Sequence, residues 1–189
     1  MYNEEGVTYK TIPLLPLRGV IVFPYTVIHL DVGRKKSIQA IEEAMLGSRH
    51  IFLATQKEAQ NDEPEEDDIY HLGTVAEVKQ VLKMPGGTMR VLVEGLHRAE
   101  IIKFIPSGNL NRVEIKEYPE EPLTKTNEME ALMRTLTYQF EQYVRISKKI
   151  PPETVSSVLT IEEPGRLADV ITSHLSLKIS EKQKILEAL

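Results

Sequence analysis

The sequence predicts an α+β protein, with a strand-rich first half carrying one helix and a helical second half. Two observations carry this. The dominant hydrophobic period is two before Pro119-Glu120-Glu121-Pro122 and near 3.6 after it. The switch falls on a proline- and charge-rich stretch, which suits a connector. The expected division is a β-rich subdomain over residues 1–118, a linker over 119–126 and a helical subdomain over 127–189. A length of 189 residues allows one ordinary domain or two small ones.

In the first half, residues 12–17 form an apolar run broken by Pro13 and Pro16, which reads as an edge or irregular strand because proline removes a ladder donor. Residues 27–32 read as a better strand, ended by Gly33. From Arg34 to Leu46, the spacing of Ile38, Ile41, Ala44 and Met45 is helical. A compact strand follows at 51–54. The acidic run 62–68 repels itself and contains Pro64, so it reads as a solvated loop. Two long β-rich segments, 72–82 and 89–102, flank Met84-Pro85-Gly86-Gly87-Thr88, which reads as a hairpin turn. Glu94-Gly95 interrupts the alternation and predicts a bulge or bend. Residues 111–116 complete the strands.

In the second half, Asn127 with Glu130 reads as a capping box. Met129, Leu132, Met133, Leu136, Phe140 and Tyr143 then line one helical stripe, expected to be a packing face. Pro151-Pro152 stops that helix and suits the first turn of the next, which would bury Val155, Val158 and Leu159. Pro164 opens a third, with Leu167, Val170, Ile171 and His174 or Leu175 inward. Ser180 with Gln183 reads as another capping box, followed by Ile185, Leu186 and Leu189. Glu187-Ala188-Leu189 holds no stop signal, so this last helix is expected to continue in a longer chain.

Composition narrows the function. Lys plus Arg is 23 and Asp plus Glu is 28, a net charge of −5. That lacks the global field that draws proteins to nucleic acid. The chain has no Cys, which removes disulfides, thiolate metal sites and cysteine nucleophiles and fits a reducing, cytoplasmic setting. The polar, acidic start predicts no secretory signal, and no stretch approaches the ~20 apolar residues of a membrane helix.

Catalytic patterns are missing. The sequence holds no Walker phosphate loop, no G-x-G-x-x-G, no H-E-x-x-H and no G-x-S-x-G. His29, His50, His71, His97 and His174 are scattered, without metal-ligand spacing. Ser147-Lys148 and Ser180 with Lys184 lack the turn signature of an activated serine, and capping accounts better for Ser180. Glu120-Glu121 and Glu162-Glu163 read as solvated charge. No catalytic, cofactor or metal residue is therefore expected.

Three features read as binding candidates. Arg34-Lys35-Lys36, at the start of the first helix, offers a cationic corner to acidic segments or a neighbouring subunit. Met84-Pro85 places a soft apolar side chain at a loop tip. Phe23-Pro24-Tyr25 is an aromatic–proline turn which, exposed beside Met84, would form an apolar patch for unfolded chains.

Longer blocks carry a resemblance. Residues 14–24, Leu-Leu-Pro-Leu-Arg-Gly-Val-Ile-Val-Phe-Pro, are followed by Val32-Gly33-Arg34-Lys35-Lys36-Ser37. Val91-Leu92-Val93-Glu94-Gly95-Leu96-His97-Arg98 and Glu163-Pro164-Gly165-Arg166-Leu167-Ala168-Asp169 come later in the same order. Together they resemble the N-terminal domain of the Lon family of ATP-dependent proteases, bacterial LonA type, over nearly the whole chain. The resemblance implies a small PUA-like β-barrel with one helix, then a helical bundle subdomain. It implies capture of unfolded or damaged proteins in quality control and stress response. It also implies self-association of the parent as a hexamer. ATP, Mg and the Ser–Lys dyad would belong to later domains, so no cofactor is expected in this chain. Relatives without the protease imply a stand-alone substrate-receptor module as the alternative; an RNA-binding PUA-like module is disfavoured by the acidic balance.

Overall fold

The structure, a computed structural model, describes residues 2–3, 7–107, 110–118, 125–147 and 149–188. The expected linker therefore lies largely outside the described residues, as do Lys148 and Leu189. Two compact units are present: residues 1–119 with 177–189, and residues 120–176.

The first unit contains seven strands: β1 (Tyr2–Asn3), β2 (Val7–Leu17), β3 (Val27–Val32), β4 (His50–Thr55), β5 (Leu72–Lys83), β6 (Met89–Ser107) and β7 (Leu110–Tyr118). Pairing closes a ring β2-β4-β5-β6-β7-β2, in which only β2–β4 is parallel. The proline-broken run at 12–17 is thus part of a longer, central strand. The ladder tolerates Pro13 and Pro16 because β2 pairs with β7 over Tyr9 to Pro13 and with β4 over Leu14 to Leu17, leaving one side open at each.

Alternation then sorts side chains into two cores. Ile12, Leu14, Phe52, Val75, Ile101 and Val113, with their neighbours from all five ring strands, fill one. The opposite faces, including Leu15, Leu53, Val78 and Val91, pack beneath β3 and helix α1 (Lys35–Leu46), whose Ala40, Ile41 and Ala44 are buried. The interruption at Glu94-Gly95 is a bulge: Val75 pairs with His97 and Ala76 with Gly95, leaving Leu96 unpaired. A Cβ on Gly95 would stand 2.2 Å from the Phe23 carbonyl oxygen, so only glycine allows this approach. The acidic run stays largely exposed, with a short 3-10 turn at Glu66–Asp68.

The second unit holds α2 (Asn127–Ser147), α3 (Glu153–Leu159) and α4 (Pro164–His174). Phe140, Val144, Ile150, Val158, Leu167 and Ile171 form its core. Three expectations change here. Thr126, not Asn127, caps α2, its Oγ1 accepting the Met129 N–H at 3.2 Å. Leu132 and Leu159, expected to be buried, are each 64% exposed. Of the alternatives His174 and Leu175, the inward one is Leu175, which packs against the core while His174 is exposed, as one of the two expectations had it.

The third concerns the last helix, α5 (Ile179–Leu186), which belongs to the β unit rather than to a helical subdomain running to 189. Leu186 joins Ile21, Phe23 and Leu72 in a small core. Buried Gln183 donates to the Leu72 carbonyl at 3.0 Å, and Arg98 Nε donates to the Leu186 carbonyl at 2.9 Å. Gln183 is therefore a bolt to the sheet; the carboxylate that accepts at the helix start is Glu181, from the Lys178 N–H at 2.9 Å.

Candidate functional site

The β5–β6 hairpin ends in a turn whose Gly86 and Gly87 both adopt left-handed backbone, φ 88° and 80°. Met84 N–H donates to the Thr88 carbonyl at 2.9 Å and closes the loop. Met84 is half-buried and Pro85 exposed. Leu82, 53% exposed, extends the apolar surface. Sequence reasoning passed over Leu82; its signal was two adjacent apolar residues, Val81-Leu82, where alternation calls for one.

The register of β3 against β6 decides which candidates meet. Val32 pairs with Met89, next to the turn, and Val27 pairs with Glu94 at the other end. Gly33 lies against Thr88, its Cβ direction 3.4 Å from the Thr88 methyl. The start of α1, with exposed Lys35 and Lys36, therefore shares one end of the sheet with the hairpin turn.

The aromatic–proline turn lies at the opposite end, about 17 Å away along β3. The expected patch of Phe23 beside Met84 does not form. Phe23 is fully buried and Pro24 is buried. The reason is the stitching of residues 20–26 onto the barrel. Thr55 Oγ1 donates to the Val20 carbonyl at 2.8 Å, Thr74 Oγ1 to the Val22 carbonyl at 2.6 Å, and Thr26 Oγ1 to the Phe23 carbonyl. Tyr25 alone is outward, 37% exposed, at φ 62° with its N–H on the Gly95 carbonyl at 2.8 Å.

Arg34 also differs from its two neighbours. It is half-buried, donating to the Pro16 carbonyl at 2.7 Å and to Gln56 Oε1 at 2.8 Å. Burial, and then the nearby Arg18 charge, lower its pKa from the ordinary arginine value. It is a clamp that fixes β2 to the start of α1. Two clefts flank it. One of about 560 Å3 lies among the end of β2, Arg18, β3 and Ser37. The other, about 590 Å3, is lined by Lys35, Lys36, Gln39 and Glu63 among others.

The remaining chemistry is structural. Ser147 Oγ accepts the Lys149 N–H at 3.3 Å as a cap. His97 Nε2 lies 3.2 Å from Glu117 Oε1, and Lys10 Nζ lies 3.1 Å from His50 Nδ1. Among the described residues no three His, Asp or Glu side chains gather as a metal site, and no helix is long and apolar enough to cross a membrane.

Residues 11–189 match the family described as the ATP-dependent protease La (LON) substrate-binding domain. The chain is 68% identical over 187 residues to a Lon protease of Syntrophomonas wolfei, covering 99% of this chain and 23% of that protein. It is 54% identical over 178 residues to Lon protease 1 of Bacillus subtilis, covering 94% and 23%. The chain thus spans under a quarter of the length of these curated relatives. Its fold matches the N-terminal domain of a Mycobacterium avium complex Lon protease with a TM-score of 0.77 at 24% identity, covering 95% of this chain and 91% of that one. A Lon N-terminal domain protein from Xanthomonas campestris gives a TM-score of 0.55 at 15% identity, covering 88% and 99%. The α+β expectation and the resemblance both hold: this chain belongs to the substrate-binding domain family of the ATP-dependent protease La (LON).

Proposed function

We propose that this chain is the client-capturing domain of a Lon-type ATP-dependent protease. It holds unfolded or damaged polypeptide at the hairpin end of the β unit and breaks no bond itself. The observation that supports this most is that the start of α1, which carries Lys35 and Lys36, shares one end of the sheet with the turn that carries Leu82, Met84 and Pro85, in a family named for substrate binding. Apolar side chains grip exposed core residues of a client, and the lysines favour acidic flanks. ATP and Mg would act in later domains of the parent, in the cytoplasm, in quality control and stress response.

The grip is weak by construction. A patch of a few hundred Å2 at ~25 cal/mol/Å2 gives several kcal/mol before ordering costs. A ring of copies, six in the expected hexamer, raises effective concentration and turns weak contacts into avidity. Weak single contacts also let the client move on.

The test is a titration with a reduced, unfolded model protein. Met84→Ser and Leu82→Ser weaken binding several-fold each, while Lys35→Glu with Lys36→Glu shifts preference away from acidic clients. Unchanged affinity in all these variants removes the assignment.

A further inference from the structure

We propose that the cleft between β2, β3 and the start of α1 accepts a carboxylate side chain of an acidic, extended client segment. Asp62 of this chain's own acidic loop stands at its rim, on Arg18, as a displaceable competitor. The inference rests on the client-capture reading and names a client chemistry for a site distinct from the hairpin turn.

Arg18 and Arg34 line the same cleft of about 560 Å3. Arg34 is held rigid by the Pro16 carbonyl and Gln56, so its charge is positioned before any ligand arrives. Arg18 has one partner among the described residues, Asp62, whose carboxylate it meets at 2.5 Å. The Asp62 side chain is 84% exposed, and such solvent-facing pairs hold weakly. The chain thus sets a carboxylate of its own at the mouth of the cleft, on a loop whose backbone Arg34 and Gln56 hold nearby.

Two further features point the same way. Helix α1 opens with no side-chain cap and no acidic residue in its first turn, so its positive end is unanswered. Ser37, only 4% exposed, lines the cleft and adds a polar side chain to its wall. Of the other acids nearby, Asp31 also lines the cleft, with its carboxylate paired to Arg90 at 2.8 Å, and Glu63 lines the neighbouring cleft. The floor is apolar, with Leu15, Val20 and Ile28. β3 pairs only with β6 among the described strands, leaving its other edge open to an extended segment.

The test uses the whole 189-residue chain. Three fluorescent peptides share one apolar frame and carry a central Glu-Glu, Gln-Gln or Lys-Lys pair. Wild type binds the Glu peptide most tightly. Asp62→Asn, on an exposed loop, strengthens the Glu peptide about fivefold by removing the competitor, and Arg18→Gln weakens it by about the same factor. The Gln peptide stays unchanged across all three proteins. Equal binding of Glu and Gln peptides to Asp62→Asn overturns the proposal, as does weaker binding of the Glu peptide to that variant. If Asp62→Asn is silent while the unfolded protein still binds through Met84, the cleft assignment fails and client capture stands. If peptide discrimination follows the prediction while Met84→Ser leaves the unfolded protein bound, the cleft assignment stands and capture at the hairpin turn fails.

Discussion

The β unit and the helical unit handle the same problem, where to put apolar side chains, in opposite ways. The closed strand ring buries Phe23, Phe52, Val75, Val91 and Ile115 completely. The helical unit buries only Phe140 and Val144 on its long helix α2 and leaves Leu132, Tyr138 and Ile146 at 64%, 63% and 80% exposure. Closure explains the difference. A ring encloses its lumen on all sides, and α1 roofs its second face. Three helices in a unit of 57 residues, from 120 to 176, have too much surface for their volume. The lesson is that exposed apolar surface alone does not identify a binding face. The hairpin turn stands out because the start of α1, with its exposed lysines, shares that end of the sheet with it.

That contrast can be broken most severely inside the ring. Gly95→Ala drives a Cβ into the Phe23 carbonyl and is expected to cost about 4 kcal/mol or more in urea denaturation, whereas Gly47→Ala, with its nearest neighbour 3.7 Å away, stays within about 1 kcal/mol. A wild-type midpoint for Gly95→Ala would refute the close approach.

The helical unit offers an internal pair on one helix. Phe140→Ala removes its central core ring and is expected to cost about 3–4 kcal/mol. Leu132→Ser, on the open face, changes stability by less than about 0.5 kcal/mol. Comparable losses would mean that Leu132 is covered.

The turn itself should be less sensitive. Gly86→Ala and Gly87→Ala place a side chain on left-handed backbone with open space around it, so each costs about 1 kcal/mol by thermal denaturation. A neutral result at both would contradict the turn geometry.

The smallest effect is a pH dependence in the β unit. Burial, then the Lys10 charge, lowers the His50 pKa below the ordinary 6.5. The unfolded chain therefore binds that proton more readily. The stability from neutral His50 is complete above pH 6.5 and declines as pH falls through the folded value. His50→Gln should flatten this part of the profile, and an NMR titration should give a midpoint below 6.5 for His50.

Much of the fold was legible because period carries it. The strands near 27–32, 72–83 and 89–102 and the helix 35–46 announce themselves by alternation or by helical spacing. Tertiary facts were not. Phe23-Pro24-Tyr25 looks like an exposed turn in one dimension. Its burial depends on Gly95 and Thr74, far away in sequence. Helix α5 follows three helices and reads as their continuation, yet Gln183 and Leu186 fasten it to the β unit. Arg34, Lys35 and Lys36 look alike as a basic run, and the Pro16 carbonyl and Gln56 set the clamp apart from the two exposed lysines. Of the site, Met84, Pro85, Lys35 and Lys36 were readable, and Leu82 was hidden in an apolar doublet.

The most direct test maps an unfolded client onto the chain by NMR. Titrating the isotope-labelled chain with a reduced, unfolded protein should shift amides at 82–88 and 33–37, with weak, fast-exchange binding near ~100 μM. The same protein in its native form should shift none. Shifts confined to Leu132, Tyr138 and Leu159, or equal shifts from the native form, would contradict capture at the hairpin end of the β unit.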